Sequence, residues 1–138
     1  MDERCFVAQI RGLAEIVLHV RDRQRSLAFY RDLLGLSVIS PPDFPGPLFL
    51  KAGDGQEGIP QMVVLVSLPD DAPPFQPPSH LHHLALEVSP ADFDTFKAHF
   101  EAEGLEVRDG KHPVIPSRTL YIDDPDGNEV ELICRDQV

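Results

Sequence analysis

The chain has 138 residues, 42% hydrophobic and 25% charged, a composition typical of one globular domain with a sizeable core. Its 12 lysines and arginines stand against 23 aspartates and glutamates, and the resulting formal charge of −11 argues against nucleic acid as a partner. No apolar run approaches the ~20 residues that span a bilayer, so no membrane is expected as a partner. The residues from Met1 to Cys5 do not resemble a signal peptide. Two cysteines are too few for a disulfide scaffold, so a cytoplasmic location is expected.

Proline is unusually frequent, and its placement divides the chain into two similar halves. Five of the 14 prolines lie between Leu68 and His80, in a polar stretch that can be neither helix nor central strand. This stretch predicts a semi-rigid linker that could span up to ~40 Å in polyproline geometry. We therefore predict one domain over 1–138, with one module at about 13–67, the linker at 68–80 and a second module at about 81–136.

The first module begins with a strand at 15–20. Apolar and polar residues alternate there, which predicts a strand covered on one side only. An apolar stripe at helical spacing follows and ends at Gly35. Further short strands are predicted at 36–39, 47–52 and 61–67.

The second module repeats this order, beginning with an alternating strand at 83–88. Ser89 is then a candidate N-cap residue, and Pro90 suits the first helical position. Phenylalanines at helical spacing follow until Gly104 ends the pattern. Strands are predicted at 105–107, 118–122 and 129–134, with a tight turn at 124–127 before the last of them. The unit strand–helix–strand–strand–strand is thus present twice.

A sheet covered on one side leaves an open face, where alternation places several polar residues. They are Glu15, His19, His83, Glu87, Tyr121 and Glu131. Side chains at matching heights on neighbouring strands, ~4.8 Å apart, can converge on one cation. Glu15 and His83 occupy the same position of the repeat, and Glu131 lies on the last strand. These three residues are the predicted metal ligands, and the alternative is a solvated polar face without a metal.

Five segments, taken in order, resemble a known family, the vicinal oxygen chelate superfamily. They are Val20–Asp22, Ser26–Tyr30, Leu34–Leu36, His83–Val88 and Asp124–Glu131. That superfamily includes glyoxalase, methylmalonyl-CoA epimerase, the fosfomycin and bleomycin resistance proteins, and the extradiol dioxygenases. The resemblance, over about residues 12–136, implies an α+β fold of two tandem βαβββ modules. These would form a cup-shaped, open eight-stranded mixed sheet with helices on the outside and a divalent metal at its base, in a homodimer.

The last third of the chain is also similar to the signature of extradiol dioxygenases. The matching residues are His112, Tyr121, the turn at 124–127 and Glu131. The resemblance implies that Glu131 binds Fe(II), with Mn(II), Ni(II) or Zn(II) as alternatives. It also implies that Tyr121 and His112 are catalytic residues that contact a small-molecule substrate.

Some positions depart from the family pattern. The first ligand is usually a histidine, whereas this chain has Glu15, and the strand at 61–67 lacks a carboxylate. His80 and His82 lie near the site but out of register with it. We expect an extradiol dioxygenase-like metalloenzyme, with His19 and Glu87 on the open face as substrate-binding residues. The alternatives are a metal-free ligand-binding protein of the bleomycin-resistance kind and a glyoxalase-type lyase or isomerase.

Overall fold

The computed structural model describes residues 8–76 and 81–136, so the predicted linker is described only up to Gln76. The first half of this part contains β1 (Glu15–Val20), α1 (Arg23–Leu27), β2 (Ser37–Val38), β3 (Leu48–Gly53) and β4 (Gln61–Ser67). A π-helical segment, Ala28–Leu33, continues α1. The second half contains β5 (Leu84–Glu87), α2 (Pro90–Ala102), β6 (Arg108–Gly110), β7 (Ser117–Asp123) and β8 (Glu129–Arg135).

The strands form two four-stranded sheets with the same topology, β1-β4-β3-β2 and β5-β8-β7-β6. The first and last strands of each half pair in parallel, and the other neighbours are antiparallel. The α+β class and the doubled βαβββ unit are therefore confirmed. The eight strands divide into two hydrogen-bonded sheets of four.

Both helices begin at side-chain caps. Asp22 accepts hydrogen bonds from the first backbone N–H groups of α1, and Ser89 accepts one from the Asp92 N–H at 3.1 Å. After α2, Gly104 adopts a positive φ of 84°, and the Leu105 N–H donates back to the Phe100 carbonyl. This closing turn keeps Leu105 out of the sheet.

The strand predicted at 105–107 is therefore wrong in position, because β6 begins at Arg108. Leu105 and Val107 still pack against the core, which explains why their apolar spacing looked like a strand.

Burial confirms the predicted alternation in β1, whereas in β7 and β8 the opposite face is also buried at Thr119 and Glu131. Apolar residues of β1, β5, β7 and β8 join one core beneath the helices, together with Tyr30 and Phe100. The opposite face carries the polar positions. No helix in the described ranges is long and apolar enough to cross a bilayer.

Polar contacts, one of them buried, join the two halves. The Tyr30 hydroxyl donates to Asp124 Oδ2 at 2.7 Å, across 94 residues of sequence. The Arg21 N–H donates to Asp126 Oδ1 at 3.2 Å, and its guanidinium donates to the Ala72 and Pro73 carbonyls. The contacts to Asp124 and Asp126 fix the first half to the 124–127 turn, which leads into β8.

Candidate metal centre

The centre of the second sheet holds a buried carboxylate. Glu131 lies on β8, opposite Tyr121 of β7 and Ala85 of β5, and only 4% of its side chain is exposed. Its Oε1 atom lies 3.1 Å from His83 Nε2. Its Oε2 atom is buried and has no hydrogen-bond partner among the described residues, and Thr119 Oγ1 on the same face has none either.

This arrangement fits a cation. A buried polar atom without a partner costs about 1–3 kcal/mol, and more when it carries charge. A divalent ion bound by the carboxylate would remove that cost. Two cis ligand atoms ~2.1 Å from one ion lie ~3.0 Å apart, close to the distance between His83 Nε2 and Glu131 Oε1. Imidazole and carboxylate together suit iron, zinc, nickel or manganese.

The Nδ1 edge of the His83 ring faces a second group of possible metal-ligand atoms. His82 Nδ1 lies 2.8 Å from His83 Nδ1, and the two rings meet edge to face. One possible ligand atom from each of His82, His83 and Glu129 lies within 4.8 Å of the other two. Among the described residues, no other three histidine, cysteine, aspartate or glutamate side chains come this close together. Glu129 accepts a hydrogen bond from Arg108 at 3.2 Å.

Tyr121 stands beside this group. Its ring meets that of His83 edge to face, with 5.9 Å between centroids. On its other side the ring packs against Gly110 of β6, where a Cβ atom would come within 2.6 Å of Tyr121 Cε2. Glycine at this position therefore leaves the space that the Tyr121 ring occupies.

His112 has a local role in the loop after β6. Its Nδ1 atom accepts hydrogen bonds from the Val114 and Ile115 N–H groups at 3.1 and 3.0 Å. In the neutral ring the proton then lies on Nε2, which can act as a donor. None of the contacts of His112 in the described part of the chain joins it to Tyr121.

The remaining predicted residues line two separate cavities. Glu15 and Glu87 are exposed and line one cavity of about 530 Å³ together with His83. Glu15 is not in the group of ligand atoms within 4.8 Å. His19 lines a separate cavity of about 370 Å³ with Phe75. The structure thus brings His83, Glu131 and Tyr121 together and places Glu15 and Glu87 at the rim of the cavity that His83 also lines.

Sequence reasoning missed two members of the cluster. His82 is out of register with the alternation that places His83 on the open face, so that pattern gives no reason to expect His82 in the cluster. The adjacent pair His82-His83 was the available signal. Glu129 shares the parity of Glu131 on β8, and extending the alternation by one step would have placed it on the same face.

The repeated βαβββ unit, with the buried Glu131 carboxylate beside the His83 imidazole, defines the class of protein. The chain belongs to the Glyoxalase/Bleomycin resistance protein/Dioxygenase superfamily, whose family profile matches residues 12–132.

Relatives in this superfamily carry different activities. The chain is 29% identical over 125 residues to glutathione transferase FosA of Serratia marcescens, covering 89% of this chain and 80% of the relative. It is 30% identical over 122 residues to catechol-2,3-dioxygenase of Bacillus subtilis, covering 83% of this chain but only 38% of the dioxygenase. A solved glyoxalase/dioxygenase from Nostoc punctiforme shares the fold, with a TM-score of 0.74 at 23% identity, covering 96% of this chain and 100% of that one.

Proposed function

We propose that this protein is a metal-dependent enzyme of the extradiol dioxygenase type, acting on a small molecule with two adjacent oxygens. The observation that carries the proposal is the buried Glu131 carboxylate, with one oxygen against His83 and the other without a partner. Glu131 and His83 Nε2 would hold the ion, Fe(II) by resemblance. Glu15, at the rim of the cavity that His83 also lines, would be the third ligand.

A bound divalent ion would act as a Lewis acid that lowers the pKa of the substrate hydroxyls and stabilises the resulting anion. The protein residues would select and orient the substrate. Tyr121, held between His83 and Gly110, would direct its hydroxyl as a hydrogen-bond donor to a substrate oxygen. Exposed Glu15 and Glu87 would disfavour an anionic substrate, so a neutral diol is favoured to enter.

Glu131→Gln tests the proposal, with Glu103→Gln at the exposed end of α2 as the matched control. Both proteins are loaded with Fe(II) without oxygen and then assayed for catechol-dependent oxygen uptake. Extradiol cleavage puts both oxygen atoms into the product as a ring C–C bond breaks, so one O₂ is used per catechol without a reductant. The control and wild type should show this uptake, and Glu131→Gln should lose it.

Wild type that takes up no Fe(II), Mn(II) or Ni(II) would contradict the proposal. It would favour the metal-free ligand-binding protein instead. We also expect a homodimer, which sedimentation would measure.

Glutathione transfer is the second candidate. It is favoured by coverage, because the chain spans 80% of the FosA relative but 38% of the dioxygenase. Loss of free thiol when the metal-loaded protein is incubated with glutathione and a panel of electrophiles, without catechol-dependent oxygen uptake, would select this activity.

A further inference from the structure

We infer that His82, His83 and Glu129 form a second metal position, on the Nδ1 edge of the His83 ring, which takes a borderline transition ion such as Zn²⁺, Co²⁺ or Cu²⁺. Two imidazoles and one carboxylate are a ligand set that such ions favour. The position does not rest on the proposed function, because it uses the opposite edge of His83 from the one that faces Glu131.

The three side chains lie close together. The two Nδ1 atoms are 2.8 Å apart, and one ligand atom from each of the three residues lies within 4.8 Å of the other two. Two ligands ~2.1 Å from one ion can lie this close together. The proton of the hydrogen bond between the two Nδ1 atoms must leave before both can bind an ion. Glu129 must approach further, and as a side chain about one-third exposed it has room to do so.

One tautomer of His83 suits the same position. A neutral imidazole has one N–H group and one nitrogen lone pair. If the proton lies on Nε2, 3.1 Å from Glu131 Oε1, the lone pair lies on Nδ1, facing His82.

Glu131 would in that case orient the ligand without binding the ion. Histidines that bind metals commonly donate their other N–H to a carboxylate, which fixes the tautomer. The two positions also exclude each other on one neutral ring, since the position beside Glu131 needs the lone pair on Nε2. We therefore expect one ion per chain.

The positively charged Arg108 lies beside the cluster of His82, His83 and Glu129. Arg108 donates to Glu129 at 3.2 Å and to Asp123 at 2.7 Å, so it competes with an ion for the Glu129 carboxylate. Arg108→Gln should tighten Co²⁺ binding by up to about fivefold, the equivalent of one exposed ion pair. Arg118→Gln is the matched control, because Arg118 pairs with Asp94 away from the cluster, and it should leave the affinity unchanged.

The decisive experiment counts imidazoles on bound Cu²⁺ by pulsed EPR. Glu131→Gln removes the carboxylate of the first position but keeps a side-chain oxygen that can accept the His83 N–H. This variant should bind one Cu²⁺ with two imidazoles. Adding His82→Ala should leave one imidazole and weaken binding by more than the roughly 10- to 100-fold typical of losing an orienting partner. Adding His99→Ala on α2 should change neither quantity.

Copper that does not bind to Glu131→Gln, or that binds through one imidazole, would overturn the inference. If Glu131→Gln does not fold, comparing wild type with His82→Ala gives the same test, because His82 is exposed and its replacement should not prevent folding. Their expected counts are two and one, and a count of one in both would overturn the inference.

Catechol turnover separates this inference from the proposed function. If Glu131→Gln loses turnover but keeps two imidazoles, both positions exist and are filled one at a time, Fe(II) beside Glu131 during turnover and Cu²⁺ beside His82. If wild type has no turnover while that variant shows two imidazoles, only the proposed function fails.

Discussion

Replacing Tyr30 by phenylalanine tests how the two halves are held together. The Tyr30 hydroxyl is fully buried and donates to Asp124 Oδ2 at 2.7 Å. A hydrogen bond to a charged group contributes about 1.5–3 kcal/mol. The Asp124 carboxylate still accepts three hydrogen bonds in the variant, one from the Asp126 backbone and two from Asn128, so its charge remains hydrogen-bonded. We therefore expect Tyr30→Phe to lower the free energy of unfolding by about 2 kcal/mol, roughly 30-fold in the folding equilibrium.

Urea unfolding followed by far-UV circular dichroism measures this loss, and the m-value should not change because the surface exposed on unfolding is the same. Burial, the charge of Asp124 and its hydrogen bond raise the pKa of Tyr30 above its ordinary value of 10.0. The neutral hydroxyl therefore contributes fully below pH 10, and the loss should be equal at pH 7 and pH 9.

Ser26→Ala is the control, because this buried hydroxyl makes only a long 3.4 Å contact with the neighbouring Asp126. It should cost less than about 1 kcal/mol. If Tyr30→Phe lowers the free energy of unfolding no more than Ser26→Ala does, the hydrogen bond between Tyr30 and Asp124 does not hold the two halves together.

Other predictions concern single positions. Burial raises the pKa of Asp126, so its charge opposes folding at pH 7 and Asp126→Asn should stabilise the protein there. In urea titrations, the difference in free energy of unfolding between the variant and wild type should vanish as the pH falls through the raised pKa. Gly110→Ala would force a Cβ atom to within 2.6 Å of Tyr121, so the free energy of unfolding should fall by about 1–3 kcal/mol. The NMR chemical shifts of Tyr121 should also change, and unchanged shifts would contradict this prediction. Ser89→Ala removes the cap on the Asp92 N–H and should cost about 1 kcal/mol in the same urea assay.

Much of the fold could be predicted because its determinants are local. Alternation identified the strands and their buried faces, and Ser89 and Gly104 marked where α2 begins and ends. The misplaced β6 shows the limit of this reasoning. Leu105 and Val107 have the spacing of a strand, but the hydrogen bond from the Leu105 N–H to the Phe100 carbonyl continues the helix cap. Whether such residues pair in a sheet depends on a partner distant in sequence.

The candidate site was predictable where alternation decides it. Alternation placed His83 and Glu131 on the open face, and the structure places them 3.1 Å apart. The position of Glu15 depends on how the two sheets face each other, which alternation within a strand does not contain. Alternation places His82 on the opposite face from His83, so its approach to the Nδ1 atom of His83 depends on the backbone before β5 and not on that pattern.

The internal repeat gives a physical reason to regard Glu131 as functional. In the first sheet Val64 lies between Val17 and Phe49, and in the second Glu131 lies between Ala85 and Tyr121, at the same place in the repeat. Both positions are almost fully buried. The first half fills this position with an apolar side chain, so the fold itself does not need a charge there. A buried carboxylate with one unpartnered oxygen opposes folding, and binding a cation or substrate at that oxygen would offset this cost.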